Sequence, residues 1–503
     1  MNYGFIIDNR KCIGCHACTV ACKTENHVPL GVNRTWVKYV EKGRFPNTRR
    51  YFQVTRCNHC ADPPCVEICP VSAMFQRKDG IVDFDSDACI GCKACMQACP
   101  YDAIYIDPER HTAAKCNYCA HRTEVGLEPA CVTVCPEQAI VAGDLDLPEG
   151  NLAQLLERNT VRVRRPEQGT KPKLYYIEAE ESAIVPTAAR HEAFYMWSER
   201  NGQVPGGGAA YPPDSSLLQK DVLAAYDVSH ARPWAWQVPA YLWLKSIASA
   251  PLALPALAVA LCKLPASRLR DVTLAIVALL FTALTMVMLV WDLDRKDRFL
   301  RIMLRPQMRS WLARGAFILA GYGGLCGLML LAGLADRARV SAILVWPTIL
   351  AGFFAAVYTA FLFGQCKGRD LWQTPLLPLH LIVQALLSGA VVLAWLPPAL
   401  GGSPEARSVA TAGLAICLGL HLLIVLGEFS MPHATGSARY AARLITHGPY
   451  RLAFWLGAVG IGGFLPAMLL AVDASRAAGL LALAGLLIFE WCFIMAGQSV
   501  PNS

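Results

Sequence analysis

The chain has 503 residues, of which 54% are hydrophobic and 17% are charged, and its formal net charge is +8. This apolar content argues against a single soluble domain, and nearly all of the excess follows Trp234. Sixteen of the 21 cysteines lie between Cys12 and Cys135. The composition therefore predicts a cysteine-rich soluble part followed by a membrane part.

The N-terminal cysteines are interpreted as metal ligands. The opening segment, MNYGFIIDNRKC, has no apolar stretch behind a basic start, so no secretory signal peptide is expected. Cysteines that repeat in short runs are typical of metal sites rather than of a disulfide framework.

The clustered cysteines form four blocks in the order short, long, short, long. The short blocks, CIGCHACTVACK and CIGCKACMQACP, share the spacing C-x2-C-x2-C-x3-C, and the long blocks share a CNxCA opening and a CxxxC close. An internal duplication explains this order. The candidate ligands, block by block, are Cys12, Cys15, Cys18 and Cys22; Cys57, Cys60, Cys65 and Cys69; Cys89, Cys92, Cys95 and Cys99; and Cys116, Cys119, Cys131 and Cys135.

The spacing indicates iron-sulfur clusters. In bacterial two-cluster ferredoxins, three close thiolates bind one cluster, and a fourth cysteine, followed by proline, binds its neighbour. Pro70, Pro100 and Pro136 follow the fourth cysteines of three blocks, whereas Lys23 takes this place in block one. Structural zinc also uses CxxC pairs but does not need the triplet. Sixteen thiolates at four per cluster predict four 4Fe-4S clusters, a row of centres suited to carrying electrons.

The sequences RCNHCADPPCVEICPVSA and DACIGCKACMQACPYDAIYID lie within residues 1–150. This region resembles the four-cluster electron-transfer subunit of the dimethyl sulfoxide reductase type of molybdopterin oxidoreductases. The resemblance implies a double ferredoxin-like α+β domain, in which blocks one and four build one cluster pair and blocks two and three build the other. It also implies a separate molybdopterin catalytic subunit that carries molybdenum or tungsten.

Residues 151–233 are predicted to be a connector, because GQVPGGGAAYPPDSS is rich in turn-forming residues. The basic stretch RVRRPEQGTKPK carries Arg162, Arg164 and Arg165. These arginines are interpreted as a solvated charge run, and the alternative is that they dock on a partner or on anionic lipid.

Residues 234–503 are predicted to be an all-α membrane domain of eight transmembrane helices, since each apolar stretch is about 20 residues long. An even number places both ends of this domain on one side. Loops on the side of the cluster domain carry eleven basic residues against seven on the other, which predicts a cytoplasmic cluster domain at a bacterial-type inner membrane. The predicted spans are 236–261, 272–291, 311–334, 341–363, 376–396, 408–429, 452–472 and 477–497.

Polar residues inside these spans are costly in hydrocarbon and are therefore candidates for function. Quinone reduction takes two electrons and two protons, which suits an apolar pocket with a few hydrogen-bonding groups for menaquinone or ubiquinone. The alternative is that these groups only bond neighbouring helices or reach the membrane surface. The candidate quinone-binding residues are Lys245, Tyr358, His380, His421, Glu428 and Glu490.

The segment VWDLDRKDRFLRIMLRPQMRSWLARGAFIL (290–319) and the closing AGQS resemble the polysulfide reductase membrane subunit family, NrfD. The resemblance implies an eight-helix anchor that binds quinone without haem, here fused to the cluster domain. The charged residues that match the family motif are Asp292, Asp294, Arg298 and Arg314.

No further metal cofactor is expected in the membrane part. Haem b would need paired axial histidines, and His380 and His421 are the two histidines within the predicted spans. Five scattered cysteines show no ligand spacing and are interpreted as small membrane-core or loop residues rather than ligands. They are Cys262, Cys326, Cys366, Cys417 and Cys492.

Together these features predict an electron-transfer and membrane-anchor subunit of a molybdopterin oxidoreductase complex. A cytoplasmic catalytic site favours oxidation of sulfite or an organic metabolite with reduction of the quinone pool, and the alternative is quinol-dependent reduction of polysulfide, thiosulfate or a sulfoxide. A redox-driven proton pump needs a polar path across the whole bilayer, for which the far half of the spans is too apolar. An iron-sulfur sensor would not need eight spans. Membrane lipids are expected partners, and nucleic acid is not.

Overall fold

The structure is a computed structural model that describes residues 1–189 and 221–503. Its soluble part alternates short strands and short helices, joined by the loops that carry the cysteines. The elements are β1 (Tyr3–Asp8), α1 (Ala17–Glu25), β2 (Thr35–Arg44), β3 (Asn47–Arg56), α2 (Pro64–Glu67), β4 (Met74–Gln76), β5 (Val82–Phe84), α3 (Ala94–Ala98), β6 (Ile104–Ile106), β7 (Ala113–Lys115), α4 (Ala120–Thr123), α5 (Ala130–Thr133), β8 (Ile140–Asp144), α6 (Asn151–Arg158), β9 (Val161–Arg162), β10 (Leu174–Ile177), α7 (Glu181–Ile184) and β11 (Val222–Tyr226).

Strands that are distant in the sequence pair in the sheets of the soluble part. Ile6 of β1 pairs with Val141 of β8 in antiparallel and with Tyr175 of β10 in parallel orientation. In a second sheet, β2 lies between β3 and β11. Because β10 and β11 belong to the predicted connector, this segment contributes strands to both sheets instead of only linking two domains. The glycine-rich stretch 202–216 lies outside the described residues.

Within the described residues, eight helical spans are long and apolar enough to cross a membrane, which confirms the predicted number. The first span consists of two helices, and the seventh begins as a π-helix. The elements are α8 (Gln237–Ser249), α9 (Ala253–Ala260), α10 (Arg268–Trp291), the loop helix α11 (Arg301–Leu304), α12 (Trp311–Leu334), α13 (Ala338–Gln365), α14 (Leu377–Trp395), α15 (Pro404–Ser430), the loop helix α16 (Gly436–Thr446), the π-helix Ala453–Phe464, α17 (Leu465–Ala471) and α18 (Ser475–Ser499).

The break in the first span lies between α8 and α9 and is packed inside the bundle. A side chain at Gly352 would collide with the carbonyl oxygen of Ser249, and one at Gly389 would collide with that of Ala250. Glycine at both positions therefore lets α13 and α14 approach the broken backbone. A break at membrane depth is tolerated where protein, rather than lipid, surrounds it.

The charged motif in segment 290–319 docks the membrane part onto block three of the cysteines. The carboxylate of Asp294 lies 3.1 Å from Lys93 Nζ, and the carbonyl oxygen of Asp292 accepts a hydrogen bond from the same ammonium group. Arg298 donates to the carbonyl oxygen of the first cysteine of block three at 3.0 Å. Arg314 instead donates to a carbonyl oxygen of its own segment.

The interpretation of the basic stretch as solvated is wrong for two of its three arginines. Arg162 is exposed, but Arg164 and Arg165 are buried. A carboxylate oxygen of Asp370 lies 2.7 Å from Arg165 Nη2, and both arginines donate hydrogen bonds to Asn502. These partners lie far along the chain, so the local charge pattern did not reveal them.

Replacing Asp370 by alanine is expected to destabilise the junction between the two parts by about 3–5 kcal/mol, because the buried Arg165 would lose its buried counter-charge and keep only the exposed Glu167 at 3.5 Å. Asp370 also accepts hydrogen bonds from Gln168 and Thr435. Thermal unfolding of the cluster-loaded protein in detergent measures the effect. The control is Asp221→Ala, which breaks an ion pair to Arg44 whose side chains are 48% and 78% exposed. Equal effects of the two substitutions would contradict the role of Asp370.

His230 forms a second link at this junction. Its Nδ1 lies 3.1 Å from Asp102, and its Nε2 lies 3.2 Å from Asp227. Burial disfavours the charged imidazole, but the two carboxylates outweigh burial and raise the pKa of His230 to about 9. Burial likewise opposes ionisation of Asp102, yet His230 and Arg369 lower its pKa to about 2.

A raised pKa in the folded state means that protonated His230 stabilises the protein. This contribution is complete below the unfolded pKa, about 6.5, and is lost as the pH rises through the folded value. His230→Gln is therefore expected to lower the unfolding temperature at pH 6, with a difference from wild type that shrinks towards pH 9.5. The exposed His447, replaced by glutamine, is the control. A difference for His230→Gln that does not change with pH would argue against an ionised His230.

Candidate functional site

The two short cysteine blocks adopt the same backbone conformation. His16 and Lys93, at equivalent positions, both have φ of 60°, and Gly14 and Gly91 have φ of 72° and 69°. Each loop then enters a helix, α1 or α3. Since non-glycine residues seldom adopt positive φ, the matched conformations show that the duplication seen in the sequence is also a structural repeat.

Cysteines from different blocks line two common cavities. One cavity is lined by the fourth cysteine of block one and three cysteines of block four: Cys22, Cys116, Cys119 and Cys131. The other is lined by the fourth cysteine of block two and three cysteines of block three: Cys69, Cys89, Cys92 and Cys95. In both cavities, a cysteine from one block completes a triplet from another, as in two-cluster ferredoxins.

The other eight cysteines form two groups of the same kind, as their electrostatic interactions show. We number the groups along the molecule. Site 1 is Cys12, Cys15, Cys18 and Cys135; site 2 is Cys22, Cys116, Cys119 and Cys131; site 3 is Cys57, Cys60, Cys65 and Cys99; and site 4 is Cys69, Cys89, Cys92 and Cys95.

The thiols of these sites suit iron-sulfur clusters. Burial raises the pKa of Cys18 to about 11 and of Cys22 to about 12, so the uncharged thiol is favoured unless a metal replaces the proton. Backbone amides of Ala73 and Ala139 donate to the sulfur atoms of Cys69 and Cys135, both at 3.2 Å. Such donors stabilise a ligand that carries negative charge.

Electrostatic contacts between cysteines order the sites in a row from 1 to 4. The contacts between neighbouring sites are Cys18 with Cys131, Cys116 with Cys57, and Cys95 with Cys65. At one end of the row, Cys15 is exposed. At the other end, the carbonyl oxygen of Cys92 accepts a hydrogen bond from Trp234 Nε1 at 3.3 Å, so site 4 lies against the membrane part.

Aromatic side chains continue from site 4 towards α18. The ring of Trp234 stacks on that of Trp372 with centroids 5.4 Å apart, and Trp372 Nε1 donates to the carbonyl oxygen of Phe493 at 3.2 Å. Sequence reasoning did not single out either tryptophan, because tryptophan is common wherever a helix leaves the membrane.

The structure brings three of the predicted quinone residues together beneath this junction. Lys245 Nζ donates to the carbonyl oxygen of Ala356 at 2.9 Å and lies 5.0 Å from the ring centroid of Tyr358. Glu490 on α18 interacts electrostatically with Lys245. Glu490 is 3% exposed, and no described residue donates a hydrogen bond to either of its carboxylate oxygens. Such a group is costly in hydrocarbon, which favours a ligand or proton beside it.

Two more predicted residues form an adjacent pair. His380 Nε2 and His421 Nδ1 lie 2.9 Å apart, and both rings pack on Phe489, which precedes Glu490. Gln384 Nε2 lies 3.5 Å from His380 Nε2. Sequence reasoning missed Gln384, although it follows His380 by one helical turn within a predicted span. The sixth predicted residue, Glu428, is buried near the end of α15 and interacts with Thr374 instead.

A polar cavity of about 310 Å³ opens where site 4 meets α8 and α10. Lys93, Gln237 and Asp292 are among the residues that line it. Burial raises the pKa of Asp292 to about 6, against the opposing effect of Lys93, so this carboxyl group can hold a proton near neutral pH. Tyr241 of α8 interacts electrostatically with both Asp292, which lines the cavity, and the buried Glu490.

Comparison with known proteins agrees with both resemblances. A family model described as "Polysulphide reductase, NrfD" matches residues 226–502, and two models of 4Fe-4S dicluster domains match residues 11–74 and 48–145. The B subunit of tetrathionate reductase from Salmonella typhimurium is 43% identical over 201 residues, which is 39% of this chain and 80% of the relative. The B subunit of polysulfide reductase from Wolinella succinogenes is 40% identical over 185 residues, which is 36% of this chain and 97% of the relative. The arsenate respiratory reductase iron-sulfur subunit ArrB of a Shewanella species is 35% identical over 227 residues, again 36% of this chain and 97% of the relative. The predicted ferredoxin-like domain and eight-helix anchor are thus confirmed.

Replacing Cys131 by alanine is expected to remove the cluster of site 2 and to lower the iron content from about sixteen to about twelve atoms per chain. Iron analysis and electron paramagnetic resonance of protein purified without oxygen measure this loss. Cys326→Ala is the matched control, because Cys326 is buried in α12 and belongs to none of the four sites. Unchanged iron in the Cys131 variant would contradict the ligand set of site 2.

Proposed function

Because this chain belongs to the polysulphide reductase NrfD family and also carries 4Fe-4S dicluster domains, we propose that it passes electrons between a molybdopterin catalytic subunit and quinone in the membrane. It is a multi-pass membrane protein that combines an iron-sulfur electron-transfer subunit and an anchor in one polypeptide. The substrate chemistry belongs to the partner chain.

The main support for this proposal is that the cysteine sites form a row whose two ends have different surroundings. Site 1 has an exposed cysteine, whereas site 4 is covered by the membrane part. Four clusters in this row would let electrons enter at one end and leave at the other without a diffusing carrier. When bound, the clusters supply the electron transfer, and the chain fixes their order.

The membrane end of the row suits quinone chemistry. Lys245 and Tyr358 can hold the head group by hydrogen bonds, and Glu490 can exchange a proton with a quinone oxygen. His380 and His421 pack on Phe489, the residue before Glu490, and can supply the second proton. The polar cavity at Asp292 would connect this pocket with water on the side of the clusters. Both menaquinone and ubiquinone fit this chemistry.

The outer end of the row suits a protein partner. Ile13 and Val20 flank the exposed Cys15 in block one, and their side chains are 56% and 62% exposed. Apolar side chains around a redox centre provide a surface that a catalytic subunit can cover. A molybdopterin subunit with molybdenum or tungsten is the partner proposed here.

The names of the relatives favour electron flow from quinol to the substrate, since tetrathionate, polysulfide and arsenate enzymes are all called reductases. The second candidate is oxidation of sulfite or an organic metabolite with quinone as acceptor. The excess of basic residues in the loops beside the cluster domain supports it, because a cytoplasmic catalytic site suits such substrates. In either direction, the same residues would bind quinone.

Glu490→Gln is expected to slow the reduction of the clusters by a soluble quinol about 100-fold, because the amide cannot accept the quinol proton. Absorbance changes of the clusters, followed by stopped flow without oxygen, measure the rate. Iron content shows whether all clusters are still present.

Asp271→Asn is the matched control, since this acid lies at the other end of α10, on the membrane side opposite the clusters. It is expected to leave the rate unchanged. Cluster reduction at the wild-type rate in Glu490→Gln, with full iron content, would place quinone elsewhere in the membrane part.

A further inference from the structure

Arg56 is a fully buried cation between the long cysteine blocks. It is the last residue of β3, immediately before Cys57 of site 3, yet its side chain interacts with cysteines of sites 1 and 2. Its Nη1 donates to Cys131 Sγ of site 2 at 3.0 Å, and its guanidinium lies 4.7 Å from the ring centroid of Phe5. Arg56 also lines the cavity that the site 2 cysteines share.

The remaining donors of Arg56 indicate what fills that cavity. Within residues 1–189 and 221–503, no hydrogen-bond partner exists for Nε or Nη2. A guanidinium group is always charged and presents five N–H donors, so burial without acceptors is very costly. Thiolates and sulfides of an iron-sulfur cluster in site 2 are the anionic acceptors that would satisfy these donors. The orphaned nitrogen atoms therefore fit the group that the cysteines imply.

The internal duplication supplies a comparison within the same chain. Lys115 precedes the first cysteine of block four just as Arg56 precedes the first cysteine of block two. Lys115 is also buried, and its charge acts on Cys65, the third cysteine of block two, as Arg56 acts on Cys131, the third of block four. Each half of the duplication thus supplies a buried cation that acts on a cysteine block of the other half.

The two cations use their donors differently. Lys115 Nζ donates to the backbone carbonyl oxygens of Val82 and Cys116, so its described hydrogen bonds go to the backbone. Arg56 donates directly to a cysteine sulfur. Site 2 receives a further donor, because Asn26 Nδ2 lies 3.7 Å from Cys22 Sγ and 3.6 Å from Cys119 Sγ. The donors to the sulfur atoms of site 3 are uncharged: they are the side chain of Thr170 and the backbone amides of His59, Tyr101 and Ala103. Site 2 therefore differs from the duplicated site 3 in having a charged donor bonded to sulfur.

We propose that Arg56 sets the reduction potential of the cluster in site 2, raising it above that of its counterpart in site 3. Reduction adds one negative charge to a cluster, and a buried cation that donates to its ligands stabilises this charge in a medium of low dielectric constant. The row then has an uneven potential profile, in which an electron resides preferentially at the second site. The proposal rests on the cysteine sites of the proposed function and does not depend on where quinone binds.

The test is a redox titration of the whole membrane complex, monitored by electron paramagnetic resonance, for wild type, Arg56→Gln and Arg56→Lys. The signal that Cys131→Ala lacks identifies site 2. In Arg56→Gln the midpoint potential of this signal is expected to fall by at least about 59 mV, which corresponds to a tenfold change in the one-electron equilibrium constant. Arg56→Lys keeps the charge but loses the forked geometry, so its midpoint is expected to fall by less.

Lys115→Gln is the matched control, because it removes a buried charge at the duplicated position without removing a bond to sulfur. It is expected to shift the midpoint potential of site 2 by less than the equivalent of a twofold change in the one-electron equilibrium constant. Unchanged midpoints in Arg56→Gln with full iron content would overturn the proposal. An equal site 2 shift in Lys115→Gln would overturn the direct role of the Arg56 bond. If Arg56→Gln loses iron, Arg56→Met removes the same charge with a side chain of similar length, and an unchanged site 2 midpoint in that variant with four clusters would overturn the proposal.

Discussion

Each cysteine site combines cysteines from two distant parts of the chain, and this constraint organises the soluble domain. Each block supplies three of its cysteines to one site, and the fourth cysteine of that site comes from another block. Cys22 serves block four and Cys69 serves block three. The halves of the duplication therefore interlock, and β1 pairs with β8 and β10 from the far end of the domain. In such an arrangement, binding of the clusters and folding of the chain are coupled.

The same constraint places site 4 against the membrane domain, where fixed hydrogen bonds replace a diffusional encounter. Arg298 bonds the backbone of block three directly, and the buried pair of Arg165 and Asp370 ties the former connector to the membrane loops. Fusion of the two parts in one chain makes this contact permanent. Lys245 and Glu490 lie within the first and eighth spans, and α18, which carries Glu490, also bonds Trp372 beside Trp234 of this junction.

Local and periodic features of the sequence were sufficient for much of this architecture. The spacing of the cysteines predicted four ligand sets, and the length of the apolar stretches predicted eight spans, since both depend on neighbouring residues. Five of the six polar membrane residues singled out from the sequence lie in two adjoining groups around Phe489 and Tyr358. Glu428 shares a helix face with His421 but interacts with Thr374, because a shared face does not determine which neighbouring helix it meets.

The sequence by itself determined the number of cysteine sites, the number of spans and the class of chemistry, because each follows from residue type and short-range spacing. The tertiary structure decided which distant groups meet. It buried Arg164 and Arg165 beside Asn502, paired His380 with His421, and bonded Arg56 to Cys131. A charge on a strand or helix looks alike in the sequence whether it meets water, a carboxylate or a sulfur ligand. Its partner depends on packing between segments that are far apart in the chain, and burial makes that partner matter energetically.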